Sequence, residues 1–365
     1  PYLRDNDMEF LQHFLPWQPV EENDHRSLGL RAKLDTDHDG INWASGVDLE
    51  YTDGSLREHQ EEDFSPNQPA GIHYDYEVGA SVAAAYSQAR TRLGNNWEVT
   101  GGLRLEYTYY DYDNKASDGT ACGPQATACR FFRPADRDDD FTDWSFNAGT
   151  SYSFSDEQVA YLRFARGFRA PQTTELYRLQ AGQQVADLDS EELNNIELGL
   201  RGIWGDKLEY DLSVYHMNKD NVIFQDATRF NVSGAKTRHY GAELSLDYRF
   251  SDNWYFRLDG TVVSHTYDSR INLLGSDGDI KGNTIDTAPE AFGSARLGWQ
   301  FWSSGQLELE WLYMDSYYLE PDNEHQYDGH SLFNLRASVP MTPAWRGTLR
   351  LTNLLDEDYA CLLYT

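Results

Sequence analysis

Connections in this chain alternate between short and long. Short ones lie near residues 37–40, 94–96, 155–157, 204–206, 251–253, 302–305 and 341–343, and long ones at 53–73, 113–141, 170–191, 225–235, 269–288 and 320–328. Between them run segments of period two, the mark of strands whose two faces meet different surroundings. Trp97, Val99, Gly101, Leu103, Leu105 and Tyr107 fall on one face of such a segment, with Glu98, Thr100, Gly102, Arg104 and Glu106 on the other. Leu208, Tyr210, Leu212 and Val214 alternate with Glu209, Asp211 and Ser213, and Ala242, Leu244 and Leu246 with Glu243, Ser245 and Asp247. Ile196, Leu198 and Leu200 alternate in the same way with Glu197, Gly199 and Arg201.

A soluble β-sandwich, such as a carbohydrate-binding one, also alternates apolar and polar residues. Its strands average about five or six residues, whereas many here run to about the nine to eleven that a tilted membrane-crossing strand needs. A sandwich also has no reason to lengthen every second loop. Outer-membrane barrels do, with short periplasmic turns and longer extracellular loops. Lipid offers backbone groups no hydrogen bonds, so strands cross it only as a closed barrel. The reading is therefore all-β, an antiparallel transmembrane β-barrel of about fourteen strands, with the long loops outside the cell. An even count with an open start and a ragged end predicts missing strands. Leu103, Leu212, Leu246 and Leu309 are expected to face lipid, and Arg104, Glu197, Asp211 and Glu243 the lumen. Trp97, Trp204, Trp254, Trp302 and Trp345 lie at the short turns, and Tyr107, Tyr109, Tyr110, Tyr112, Tyr317 and Tyr318 at the opposite strand ends, as interfacial girdles would.

Composition narrows the function. With 60 acidic and 30 basic residues the net charge is -30, which argues against nucleic-acid binding. An aromatic content of 14% argues against disorder. No apolar run of about 18 residues is present to form a transmembrane helix. No signal peptide is visible, and the chain starts at Pro1, so it reads as a processed product or a fragment. Cys122 and Cys129 can close a small hairpin as a disulfide in an oxidising compartment. A metal pair is the rival reading, although no His lies nearby, and Cys361 stands alone. Asp35-Thr36-Asp37-His38-Asp39-Gly40 opens like a calcium loop, but the twelfth position is Gly46 where Glu is required, so it reads as a solvated acidic turn. Asp136-Arg137-Asp138-Asp139-Asp140 reads as a solvated charge run in a long loop. Asn231-Val232-Ser233 matches a glycosylation sequon that a bacterial protein would not normally use. No catalytic motif is present, and no enzyme activity, cofactor or metal site is expected.

Several blocks of the chain resemble TonB-dependent receptors. Tyr161 through Pro171, with Arg166, Gly167, Phe168, Arg169 and Ala170, resembles the family's Y-x-R-x-x-x-G-F-R-A-P signature, and Glu175-Leu176-Tyr177 follows it. Leu188 to Glu191 and then Glu197, Leu198, Gly199 and Arg201 resemble the L-x-x-E and E-L-G-x-R block. Asn231 with Gly241 and Glu243, then Pro289, and finally Asn353, Leu354, Asp356, Tyr359 and Ala360 follow in family order. The resemblance implies a barrel of about 22 strands with a plugged lumen in the bacterial outer membrane, and import powered through TonB. Against that pattern the chain lacks a TonB box, the plug, the first strands and a last strand ending in an aromatic. Residues 1–365 are thus expected to be part of the barrel domain, with TonB engaged through the missing N-terminal region. The expected partners are TonB, outer-membrane lipid and a small ligand such as a ferric chelate. A passive porin-like channel is the alternative.

For the ligand, the family default is a ferric siderophore, with cobalamin and oligosaccharides also open. Haem is disfavoured, because no His lies between Pro171 and Glu191 and no N-P-N-L box is present. Arg130, Phe131, Phe132 and Arg133 follow the second cysteine in the longest loop. With Tyr177 and Arg178 they are expected to meet an anionic, partly aromatic chelate, since Arg pairs with anions and stacks on rings. The rival reading is that they only fold the loop on itself.

Overall fold

Strand after strand pairs antiparallel with its neighbour in chain order. The computed structural model describes residues 1–180, 182–276, 278–302 and 304–360. The strands are β1 (Tyr2–Leu11), β2 (Val20–His38), β3 (Ile41–Gln60), β4 (Gly71–Leu93), β5 (Trp97–Asn114), β6 (Gly119–Thr120), β7 (Phe132–Arg133), β8 (Arg137–Ser155) and β9 (Gln158–Arg169). After a short helix, α1 (Thr173–Tyr177), come β10 (Glu191–Trp204), β11 (Leu208–Gln225), β12 (Asn231–Arg249), β13 (Trp254–Tyr267), β14 (Ala291–Phe301) and β15 (Gly305–Met314). The last are β16 (Tyr317–Tyr318), β17 (Gln326–Tyr327), β18 (His330–Thr342) and β19 (Trp345–Leu351). Fifteen of them form one sheet running from β1 to β19, while β6 with β7 and β16 with β17 make two-stranded hairpins in the loops.

Register keeps each face uniform over many strands. Leu200 stands opposite Leu212 and Leu212 opposite Leu244. One residue along, Arg201 faces Asp211, Asp211 faces Ser245 and Ser245 faces Asp259. The apolar face is bare: Leu103, Leu212 and Leu309 are 54, 42 and 40% exposed. Leu246 shares that face, opposite Tyr210 and Leu258. Nothing covers these leucines because lipid does, and the other face carries Arg104 paired with Asp48 at 2.7 Å and with Glu106. A sandwich would bury that apolar face under a second large sheet, and the other described sheets are only the two hairpins. Trp97, Trp204, Trp254, Trp302 and Trp345 are all exposed at the short-turn end. There the turns are tight: Asp39 and Gly40 take φ of 52° and 76°, the left-handed pair that an Asp-Gly hairpin supplies.

Three expectations change. The main sheet has fifteen strands, not about fourteen, because β1 was not legible: the face it shares with the apolar band carries Asp5, Asp7 and Glu9 after Leu3. Several loops are shorter than read, since strands continue above the membrane; β3 runs to Gln60 and β8 starts at Arg137. That places Asp138, Asp139 and Asp140 on a strand and not in a loop. Of the aromatics assigned to the outer girdle, Tyr107 is exposed, but Tyr112 and Tyr317 are buried. Parity explains Tyr112, which lies on the lumen face of β5. Cys361 lies outside the described residues.

The packed protein core sits at the loop end. Leu56, Tyr74, Tyr76, Val78, Tyr112, Phe131, Leu176, Tyr177, Leu179 and Leu188 form it. Lipid supplies the burial lower down; only where the strands emerge into water must side chains cover one another.

Candidate ligand-binding vestibule

A strap of chain, residues 170–190, carries α1 and is fastened at both ends by one guanidinium. Arg169, the last residue of β9, donates from Nη1 and Nη2 to Glu175 at 2.8 and 3.0 Å and from Nε to Glu191 at 2.9 Å. The second Glu191 oxygen accepts from the Ile223 N–H at 2.9 Å. Glu175 also accepts from the Gln172 N–H at 2.7 Å, closing a capping box on a helix too short to stand alone.

From there the strap reaches other strands. Arg178 bridges two buried carboxylates, Glu21 of β2 at 3.0 Å and Glu58 of β3, and lies 5.3 Å over the Tyr74 ring of β4. Tyr74 donates its hydroxyl to the Leu179 carbonyl at 2.9 Å. On the other side Gln183 donates to the Asn231 carbonyl at 2.7 Å, and Asn231 donates from Nδ2 to the Glu175 carbonyl at 2.8 Å.

The disulfide loop packs onto this frame. Cys122 and Cys129 are bonded, their Cα atoms 5.8 Å apart. Asn67 Oδ1 accepts the N–H groups of Thr127 and Ala128, both at 3.0 Å, fixing the loop to the β3–β4 connection. Phe131 stacks on His73 with ring centres 3.7 Å apart.

These elements enclose an open cleft of about 460 Å³ lined by Trp17, Glu58, Tyr74, Arg130, Phe131, Arg178 and Phe224 among others. That is within the size range of small-molecule sites. Its two arginines differ. Burial draws the Arg178 pKa down, but Glu58 and Glu21 carry it above the ordinary arginine value. Burial and then the nearby Arg229 lower that of Arg130. Among the described residues Arg130 has no ion-pair partner; its guanidinium rests 5.2 Å over the Trp17 ring. The Trp17 indole N–H is itself buried without a partner. Among the described residues, then, two donors beside the cleft have no hydrogen-bond or ion-pair partner.

The residues read from the sequence divide. Arg130, Phe131 and Arg178 line the cleft. Arg133 is turned inward, its guanidinium donating to the Ile72 carbonyl, Ser117 Oγ and the Thr120 carbonyl at 3.4, 3.2 and 3.3 Å. Phe132 is half-buried against the core, its N–H donating to the Leu179 carbonyl at 2.8 Å. Tyr177 is fully buried, stacked 4.2 Å from Tyr112 and donating to Asp139 at 2.9 Å. Trp17, Glu21 and Glu58 escaped the sequence reading. Trp17 belongs to the β1–β2 connection, which vanishes when β1 is not recognised, and Glu21 meets Arg178 across 157 residues of sequence.

The family-motif residues are largely constructional. Arg169, Glu175 and Glu191 make the clamp, and Pro171 is buried beside it. Arg166 stacks over Trp144 at 4.2 Å and pairs with Glu192 at 2.6 Å. Gly167 and Phe168 complete β9 beside Leu193 and Glu192. Gly199 stands opposite Tyr161 and Gly241 opposite Tyr215, and Glu197 and Glu243 share their lumen face. Asn353 ties off the turn after β19, accepting the Glu357 N–H and donating to its carbonyl, both at 2.9 Å. Asp356 takes a φ of 55° in the same turn, and the Tyr359 ring meets His330 at 5.1 Å.

The fold defines a bacterial outer-membrane β-barrel. Residues 4–354 match the TonB dependent receptor-like β-barrel family, and the chain belongs to the TonB-dependent receptors. It is 26% identical over 296 residues to the ferric aerobactin receptor of Klebsiella pneumoniae, a match covering 76% of this chain and 38% of that protein. The chain thus spans well under half the length of that relative. Its fold is similar to the ferric yersiniabactin uptake receptor FyuA of Yersinia pestis, at TM-score 0.70 and 15% identity over 97% of this chain and 52% of that one. The copper transporter OprC is similar in the same way, at TM-score 0.73 and 16% identity over 98% and 55%. The family is one of transport receptors, not enzymes.

Proposed function

We propose that this chain is the C-terminal barrel part of a longer receptor that imports a ferric siderophore through TonB, and that the cleft beside Arg130 is where the chelate is first held. The relatives named as ferric aerobactin receptors favour iron as the cargo. The observation that carries the ligand chemistry is the unsatisfied pair of donors, the Arg130 guanidinium and the Trp17 indole N–H, in a chain of net charge -30. An acceptor-rich anion fits there, and Trp17 and Phe131 give its apolar part a surface.

Within this reading Arg130 contacts ligand, Arg178 holds the strap, and Arg133, Phe132 and Tyr177 support the loops. The test is binding of ferric aerobactin, and of a panel of other ferric hydroxycarboxylates and catecholates, to the complete receptor in outer-membrane preparations. Arg130→Ala should weaken binding by about ten- to a hundredfold, the worth of one charge-assisted hydrogen bond, while Arg133→Lys should change it little. Equal affinity of wild type and Arg130→Ala for every chelate that binds would remove this cleft from the site.

A further inference from the structure

The outward face of the barrel changes sign just above its apolar band. On β3, β4, β5 and β8 the outward rows just above that band carry the carboxylates Asp53, Glu77, Asp111, Asp138 and Asp140, with Arg57 further up β3 and Lys115 paired to Glu77 as the cations among them. On β12 the same outward row, which lower down reads Leu246, Leu244 and Ala242, continues upward as Tyr240, Arg238 and Lys236. The register confirms the side. Tyr240 stands opposite His216 of β11, two residues above the exposed Val214, and is itself 44% exposed. Arg238 and Lys236 thus emerge at the height where hydrocarbon gives way to head groups, since the apolar band of such barrels is about 25 Å tall.

The two cations border an open cleft of about 660 Å³ in the outer wall, floored by His216 and Tyr240 with their rings stacked 4.8 Å apart. His216 Nδ1 is buried there without a hydrogen-bond partner. Lys236 lies 2.8 Å from Asp220, Arg238 pairs with Asp268, and Lys281 stands 3.6 Å from the same Asp268. These pairs are substantially exposed, with Lys236 and Arg238 side chains 56 and 40% accessible. Such pairs hold weakly, so a phosphate can take over either cation with little loss.

We propose that Lys236 and Arg238, with His216 at the base of the cleft, seat a phosphorylated head group of an outer-leaflet glycolipid, its acyl chains lying down the strip of Val214, Leu212 and Leu244. The ligand is the lipid and not free phosphate, because His216 and Tyr240, which floor the cleft, stand on the outward rows that continue downward as Val214, Leu212 and Ala242, Leu244. Cationic residues at a membrane surface attract anionic lipid in just this way, and the carboxylate sector on β3–β8 would repel it.

The test uses the complete receptor in detergent, titrated with bisphosphorylated lipid A and with its dephosphorylated form and followed by native mass spectrometry. Heat-modifiable gel mobility checks that each variant keeps its barrel. Wild type and the conservative double variant Lys236→Arg/Arg238→Lys should bind the bisphosphorylated lipid alike. Lys236→Ala/Arg238→Ala should bind it roughly tenfold or more weakly, and the dephosphorylated lipid should bind poorly to all three. Undiminished binding by the alanine variant, equal binding of both lipids, or displacement of the lipid by millimolar inorganic phosphate would each overturn the proposal. The last outcome would identify a free-anion site instead.

Discussion

A tyrosine lying across a glycine recurs on the lumen face. Tyr161 covers Gly199, Tyr215 covers Gly241 and Tyr255 covers Gly298, each pair directly opposed on neighbouring strands. A Cβ added at these glycines would stand 2.2, 2.3 and 2.0 Å from the ring's Cζ. A glycine inside a strand weakens it unless something approaches closely, and here the ring fills the space. Arg201 stacks on Tyr161 in turn, 5.6 Å from its centre. This accounts for Tyr161, Gly199 and Arg201 as one joint between β9 and β10, and joins residues of two separate family motifs. Gly199→Ala should therefore lower barrel stability by about 1–3 kcal/mol, as overpacking does. The readout is the midpoint of heat-modifiable mobility on gels. Tyr161→Ala added to Gly199→Ala should recover part of the loss; an unchanged midpoint for Gly199→Ala alone would show that the ring moves aside freely.

At the scale of the strand, the contrast between the two faces is the whole stabilising device. Leu212 sits on β11 between Leu200 and Leu244, with exposed apolar neighbours and no protein above it. Leu212→Arg should cost about 2–4 kcal/mol near the bilayer midplane, whereas Asp211→Asn, on the lumen face, should cost much less. Urea unfolding of the receptor in lipid vesicles would measure both, and equal costs would contradict the assigned faces. The same contrast explains what could be read from sequence. Within the hydrocarbon the period of two is enforced by lipid on one side, so β5 and β10–β12 were legible residue by residue. Above it both faces meet water or other loops, the constraint lapses, and β3 beyond Tyr51 and the acidic start of β8 read as loop. β1 failed for that reason too, with Asp5, Asp7 and Glu9 where apolar residues were sought. In the vestibule, Arg130 and Phe131 were visible as cation and aromatic in one loop. Their surroundings were not, because Trp17 reaches Arg130, and Glu21 reaches Arg178, only through the curvature of the sheet, from more than a hundred residues away.

For the whole molecule the question is how a ligand leaves once held. A scarce nutrient requires tight binding, and a dissociation constant of about 1 nM corresponds to roughly -12 kcal/mol. Affinity of that order is paid back as slow release, so a barrel that binds its cargo well cannot also pass it by diffusion at a useful rate. Within the proposed function the vestibule serves the first task. Its strap is clamped by Arg169 at both ends and pinned to β2, β3 and β12. Nothing in that arrangement supplies the work of release, which within the proposed function comes through TonB. Binding and uptake should therefore separate genetically. In cells producing the complete receptor, deletion of TonB should leave binding of the ferric chelate at the cell surface intact and abolish its accumulation inside. Collapse of the inner-membrane proton gradient should do the same. Accumulation that survives both treatments, at a rate proportional to external concentration, would mean that the chain belongs to a passive channel and that the Arg130 cleft only slows what passes.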